Sequence, residues 1–313
     1  MTVVLVTGGA GFIGSHLCDR FLAEGHRVIA VDDLSTGRIA NLAEARGYGK
    51  EFTFFNMDVR ADGLLSLFER HRPEVVMHLG AQPGVSASMD EPVSDASVNV
   101  MGTLNLMECA RRTGARKVVY AASGGTLYGE ARKLPVKETG AGTRPLSPYG
   151  ISKKVVIDYL AFYERYHGIE WTALALANVY GPRQDAAGES GVVAIFSAAM
   201  LAGRAPTIFG DGNQTRDYVF VDDVVHAFAL ACDRGAGRLV NVGTSVETSV
   251  NGLYRMLADV TGFTGEAAHG PARPGDLRRS VLDIGLAADQ LGWRPWTHLE
   301  DGLGETVAFM KGV

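Results

Sequence analysis

Over the first two thirds of the chain, short β-branched runs alternate with amphipathic stretches. Val3–Thr7, Arg27–Asp32, Phe52–Asn56, Val75–Leu79, Lys117–Ala121 and Trp171–Ala177 are mostly apolar on both faces. Runs of that kind predict strands of a parallel sheet with helices on both sides. Helical periodicity fills the gaps at Ser15–Glu24, Ala61–Arg72, Ser97–Thr113 and Pro148–His167. The alternation predicts an α/β fold, a doubly wound parallel sheet with right-handed crossovers. Beyond Asn178 the rhythm loosens. Helices are expected near Val192–Gly203, Val221–Asp233, Val250–Thr261 and Leu299–Met310, between Gly- and Pro-rich loops. No linker or charge run marks a boundary. We therefore expect residues 1–177 to form the main domain and 178–313 a smaller lobe packed on it, with ligands in the cleft between them.

Composition narrows the field. Hydrophobic residues at 46% and charged residues at 21% exclude disorder as the main state. A net charge of −5 gives no basic surplus for nucleic-acid binding. Cys18, Cys109 and Cys232 are widely spaced, which fits neither a disulfide framework nor a thiolate zinc site and suggests a reducing, cytoplasmic setting. The N-terminus has no basic segment before its apolar run, so a signal peptide is not expected. Val192–Leu201, the longest nearly apolar stretch, is too short for a membrane helix. The histidines form no H-x-x-x-H, so no metal is expected, and Trp171, Trp293 and Trp296 are read as packing residues.

The candidate chemistry starts at Gly8-Gly9-Ala10-Gly11-Phe12-Ile13-Gly14, between a strand and a helix. Glycines at 8, 11 and 14 suit a tight turn, close approach to a pyrophosphate and helix–strand packing, and the helix N-terminus offers donors to phosphate. This is a Rossmann fingerprint. Asp32-Asp33 closes the next strand where an acid should receive a ribose hydroxyl; its charge opposes a 2′-phosphate, favouring NAD over NADP. Asp58 is either an adenine contact or a solvated surface acid. Tyr149 and Lys153 stand one turn apart on one helix face. A neighbouring ammonium favours phenolate and would move Tyr149 toward a useful acid–base range.

Together these residues resemble the extended short-chain dehydrogenase/reductase family, the nucleotide-sugar epimerases and dehydratases. The likeness spans nearly the whole chain. It runs through residues 6–14, Tyr149-x-x-x-Lys153, Asn178-Val179-Tyr180-Gly181-Pro182-Arg183, Arg216-Asp217-Tyr218-Val219 and Arg273-Pro274-Gly275-Asp276-Leu277. Its motifs are most similar to those of the UDP-glucose 4-epimerase group. The resemblance implies NAD contacts from Gly8, Gly11, Phe12, Ile13, Gly14, Asp32, Asp33, Leu34, Ser35, Thr36, Gly37, Asp58, Val59, Leu79, Gly80, Ala81, Gln82, Asn99, Ala121, Tyr149 and Lys153. It implies that a UDP-sugar meets Thr126, Asn178, Val193, Thr207, Phe209, Gln214, Arg216, Arg273, Asp276 and Ser280. Arg216 and Arg273 would grip the diphosphate through charge-assisted bonds, and Asp276 would meet ribose.

Within the family, the stretch Ala122–Gly129 separates reactions. Dehydratases carry an Asp-Glu pair there and decarboxylases a glutamate; this chain has Gly124-Gly125. Without those acids, a 4-keto intermediate can only be reduced back, which implies 4-epimerisation of a UDP-hexose. UDP-glucuronate epimerisation and a non-catalytic NAD(H)-sensing role are the alternatives. Gly124 falls where the family's catalytic hydroxyl aligns. That role should pass to Thr126, which we expect, or to Ser123. Ser280 is small where the family limits room at the sugar's C2, so weak turnover of an N-acetylated sugar is expected. The helices near 98–107 and 155–163 are apolar round more than one face, and in relatives they pair across a dimer, so a homodimer is expected.

Overall fold

A computed structural model describes residues 1–131, 133–140, 144–186, 191–272 and 277–312. Its central sheet has seven parallel strands: β1 (Val3–Thr7), β2 (Arg27–Asp32), β3 (Phe52–Asn56), β4 (Val75–His78), β5 (Lys117–Ser123), β6 (Glu170–Leu176) and, later in the chain, β11 (Arg238–Val242). The spatial order β3-β2-β1-β4-β5-β6-β11 reverses direction between β1 and β4, and the carboxyl ends of those two strands form the crevice where such sheets take ligands. Short strands lie outside the sheet. β7 (Asn178–Tyr180) pairs with β10 (Tyr218–Phe220), β8 (Thr207–Phe209) with β13 (Ala268–Gly270), and β9 (Thr215–Arg216) with β12 (Thr248–Ser249).

Helices cover both faces. α1 (Phe12–Ala23) follows β1; α2 (Ala43–Arg46), α3 (Leu64–His71), α4 (Val85–Asp90) and α5 (Pro92–Ala96) lead to a π-helical turn at Ser97–Met101 and then α6 (Gly102–Thr113). After β5 come α7 (Gly124–Leu127) and α8 (Pro148–His167), and the remainder carries α9 (Val192–Leu201), α10 (Val221–Ala231), α11 (Val250–Thr261), α12 (Gly285–Leu291) and α13 (Leu299–Lys311). Leu17 and Phe21 of α1 join Val224 and Phe228 of α10 over Val4, Val6 and Ala30. On the opposite face Leu64, Phe68, Leu106 and Leu160 cover Leu5, Ile29, Val76 and Val118. Burying these side chains contributes roughly 1.5–3 kcal/mol each before entropy is charged against it.

Helix α8 shows how local chemistry sets an element. Ser147 caps it by accepting from Gly150 N at 3.1 Å, Pro148 opens it, and Gly168, at φ +68°, closes it in the left-handed region. Part of the chain beyond residue 177 rejoins the main sheet. β11 returns to extend the main sheet beside β6, and α10 packs on α1, so one core runs through both parts. Trp171 and Trp293 are buried as expected, whereas Trp296 is largely exposed, edge-on to His226. Among the described residues, no helix is long and apolar enough to cross a membrane, and no three His, Cys, Asp or Glu side chains gather as a metal site.

Candidate active site

The turn from β1 into α1 leaves no room for side chains. A Cβ on Gly14 would lie 2.0 Å from Gly8 O, and one on Gly8, at φ +67°, 2.9 Å from Gly80 N across the switch point. Gly11 stands at the N-cap of α1 without a capping side chain, so the first N–H groups of that helix stay available to an anion. Asp32 is mostly enclosed. Its carboxylate accepts from Ala10 N at 3.0 Å and Leu34 N at 2.8 Å, bracing the glycine turn and the β2–α2 loop together. A carboxylate has about four lone-pair sites, so capacity remains for vicinal hydroxyls. A Cβ on Gly37 would reach within 2.5 Å of Asp32 Oδ1, which accounts for glycine beside that acid. Asp33 is exposed and ties back Ser35, accepting from its N and Oγ. Thr36 is exposed in the same loop. Phe12 and Ile13 form the first turn of α1 and, with Leu34, pack against the core.

Asp58 is bonded to the Arg60 side chain and backbone, and that guanidinium holds its carboxyl below the usual range. Val59 packs where a Cβ on Gly102 would collide with it. Leu79, Gly80, Ala81 and Gln82 continue from β4 past Gly8. Asn99 fixes them, accepting from Gln82 N at 2.8 Å and donating to Gln82 O at 3.1 Å. The Asn99 side chain thus shapes the loop from a buried position. Behind it, Thr7 Oγ1 accepts from Leu79 N and Gly80 N, so its proton points to His78 Nδ1 at 2.7 Å. Thr103 Oγ1 donates to Asn99 O, leaving it to accept from His78 Nε2 at 2.8 Å. His78 is therefore neutral with its proton on Nε2. Burial, with the Lys153 charge adding to it, pushes its pKa down to about 3.

Tyr149 and Lys153 project from the first turns of α8 under the end of β5. Lys153 Nζ donates to Ala121 O at 3.0 Å and stands 4.8 Å over the Tyr120 ring and 5.7 Å from the centre of the Tyr149 ring. Burial lowers Lys153 to about 8, with Asp95 opposing the fall, so it stays largely charged at neutral pH. Tyr149 departs from the sequence expectation. Burial, with the Asp95 charge adding to it, raises its phenol well above the ordinary range, and a hydrogen bond from Ser123 opposes that. Desolvation sets the direction of the shift.

Of the two hydroxyls considered for the vacant position, Ser123 is the one against the phenol. Thr126 Oγ1 turns to Ser123 O at 3.5 Å, and the Thr126 backbone packs on Gly150. Position 124 itself is closed to a hydroxyl-bearing side chain. The cause lies at Gly124, where a Cβ would come within 2.6 Å of Leu282 Cδ1 and 3.0 Å of Leu176 O.

The segment carrying Leu282 also ties the later part of the chain to the site. Buried Asp217 accepts from Thr244 N and Oγ1 and from Ser245 N and Leu282 N, fastening two loops. Ser280 N donates to Thr215 O, and Val136 bridges to Leu282, so Ser280, Thr215 and Arg216 lie on one small patch. Gln214 donates to Phe209 O at 2.9 Å, adding β8 to it. Asn178 N donates to Asp217 O, and Val193 is buried in the first turn of α9. Thr207, at the far end of β8, is exposed. Arg273 and Asp276 lie outside the described residues. A surface groove lined by Met200, Thr261, Phe263 and Lys311 shares no residue with this site. Asp95, Ser152 and Thr103 complete the centre and carry no motif by which a sequence reading could have found them.

A parallel sheet with a glycine-turn dinucleotide cradle and a partly enclosed Ser–Tyr–Lys cluster at its carboxyl edge defines a nicotinamide-dependent enzyme. The model of the NAD dependent epimerase/dehydratase family matches residues 4–243, and the chain belongs to that family. A relative from Mycolicibacterium smegmatis, a UDP-glucose 4-epimerase, is 49% identical over 308 residues, 98% of each chain. The UDP-glucose 4-epimerase of Thermotoga maritima, solved with UDP-glucose, superposes with a TM-score of 0.95 at 44% identity over 99% of both chains. That of Thermus thermophilus, solved with NAD, gives 0.92 at 40% identity, again over 99% of both.

Proposed function

We propose that the protein interconverts UDP-glucose and UDP-galactose by inverting the sugar at C4. The observation that carries this reading is the Ser123–Tyr149–Lys153 cluster beside Gly124 and Gly125, at the carboxyl edge of a dinucleotide-binding sheet. Gly8, Gly11 and Gly14 would hold the pyrophosphate of NAD on α1, Asp32 the adenosine ribose, and Tyr149 with Lys153 the nicotinamide half. The cradle fits, since Gly11 leaves the first N–H groups of α1 without a capping side chain and the Asp32 carboxylate keeps acceptor capacity beyond its bonds from Ala10 and Leu34. NAD, held there, supplies the acceptor and then the donor of hydride at sugar C4, so the cycle through the 4-keto sugar has no net redox change.

The remaining chemistry is the chain's own. Tyr149, as the phenolate, takes the proton from O4 and later returns it. Ser123 donates to the phenolate and lowers the cost of forming it; the Lys153 ammonium favours the same charge. No acid sits at 124 or 125 to eliminate water or drive decarboxylation. The buried acid nearby, Asp95, is enclosed and bonded to Asn99 and Ser152. Residues 178–313 supply most of the UDP-sugar side, with Arg216 and Arg273 toward the diphosphate and Ser280 toward C2. Asn178, Val193, Thr207, Phe209 and Gln214 are the other lining candidates. Buried Cys18 and Cys109 carry free thiols, consistent with a reducing, cytoplasmic compartment.

The test is direct. Purified protein given UDP-galactose with no added cofactor should form UDP-glucose, because an internally balanced cycle retains its NAD. Protein that purifies empty and turns over only with NADPH would defeat the proposal. The same assay with UDP-N-acetylglucosamine should show weaker turnover, and none would remove Ser280 as the residue that sets breadth.

The active form is proposed to be a homodimer. Ile151, Tyr159, Phe162 and Tyr166 form an exposed stripe along α8, and Met101 stands exposed at the entry to α6. Two such pairs of helices can close as a four-helix bundle about a twofold axis. Light scattering at micromolar protein should give twice the chain mass. Phe162→Asp should shift it to the chain mass; a parent that is already monomeric would end this part of the reading.

A further inference from the structure

Asp95 is the next-to-last residue of the short helix α5 and is 1% exposed. One carboxylate oxygen accepts from Asn99 Nδ2 at 2.8 Å, the other from Ser152 Oγ at 2.5 Å. Both donors are neutral, so neither offsets the charge. Asn99 is the residue that shapes the Gln82 loop at the switch point; Ser152 is the neighbour of Lys153 on α8. The carboxylate therefore joins the cofactor side of the cleft to the helix that carries the catalytic pair.

We propose that Asp95 is a positioning residue of the reaction, binding Asn99 and Ser152 in register and serving as the buried counter-charge of the Lys153 ammonium. This rests on the reading of Tyr149 and Lys153 as the catalytic pair. A buried carboxylate without a cation nearby is costly, and so is a buried ammonium without an anion; each removes part of the other's penalty. The titratable groups facing this space are His78 from β4, Tyr120 from β5, and Tyr149 and Lys153 from α8. His78 is neutral by its hydrogen bonds, and burial holds the Tyr120 phenol protonated. Lys153 is left as the cation and Asp95 as the anion. Asp95 raises Lys153 against burial and also raises Tyr149, so it keeps the ammonium charged while making the phenol harder to ionise. Ser123 works against that second effect.

The experiment titrates Lys153 in holoprotein labelled with 13C at lysine Cε, its signal assigned by its loss in Lys153→Arg. The parent midpoint is expected near 8. In Asp95→Asn it should fall by roughly one pH unit, the size a single nearby charge imposes. Asp95→Ser should give the same shift and serves if the asparagine variant does not fold. Asp95→Glu keeps the charge and should keep the midpoint. In turnover, Asp95→Asn should lower kcat about tenfold with KM little changed, as for a group acting through the catalytic pair. A midpoint that stays put in the neutral variants overturns the proposal, even where turnover falls, since lost packing alone would not move it. The titration needs no substrate. Absence of epimerase activity would count against the assigned reaction and leave this reading to be judged on its own.

Discussion

Tyr149→Phe should lower kcat for UDP-galactose by roughly 10³-fold, within the range for loss of a positioned acid–base group. KM and the amount of bound NAD should stay close to those of the parent. The argument is one of location. The ring is half-buried at the start of α8, and phenylalanine fills the same space, so packing and the cofactor cradle are spared. What is lost is the oxygen that exchanges a proton with the sugar O4 and its bond with Ser123. Because burial holds this phenol high, the group that ionises during the cycle depends on the charges placed around it, and the acid side of the kcat–pH profile should report it. Steady-state kinetics, with NAD measured after denaturation, check both halves. A fall of less than tenfold would show that another group takes the O4 proton. A large fall with loss of NAD would instead place the Tyr149 hydroxyl in cofactor retention.

The sheet was legible because its strands are apolar on both faces and each is followed by amphipathic chain. Helix α8 was legible to the residue, since Ser147, Pro148 and Gly168 are all boundary signals. Helix α1 was read three residues late. Its N-cap is Gly11, which leaves its donors open for a ligand and so lacks the side-chain signal that marks ordinary helix starts. Strand β11 was missed. Five residues between glycine-rich turns resemble a loop segment, and only pairing with β6 fixes Arg238–Val242 as a strand. Tyr149 and Lys153 could be found because their spacing on a helix carries the chemistry. Asp95 and Ser152 could not, because their importance lies in meeting each other across 57 residues. The surroundings of Gly124 were hidden for a related reason. Leu282, far along the chain, occupies the space beside Gly124, and nothing near residue 124 announces it.

Ser123→Ala should lower kcat by roughly 10²–10³-fold, the usual loss when one positioned hydrogen bond to a developing charge is removed. Thr126→Ala should cost less than about tenfold, as expected of a group that touches no developing charge. The contrast follows from the backbone. Strand β5 runs through Ser123, whose side chain meets the Tyr149 phenol, while Thr126 lies in the next helical turn with its hydroxyl directed at Ser123 O. Any residual effect of Thr126→Ala should come from that turn and appear as lowered stability with kcat preserved. Ser123→Thr keeps the hydroxyl and should recover most of the activity. Restoring a hydroxyl at the neighbouring position should fail, since the Cβ of Gly124→Ser meets both the Leu282 side chain and the carbonyl of Leu176. Adding Leu282→Ala removes the first obstacle and leaves the second, so that pair should fold better than Gly124→Ser alone while remaining slower than the parent. Measured kcat for the single variants decides the assignment: a harmless Ser123→Ala beside a damaging Thr126→Ala would return the role to Thr126 and require the turn at α7 to rearrange when substrate binds.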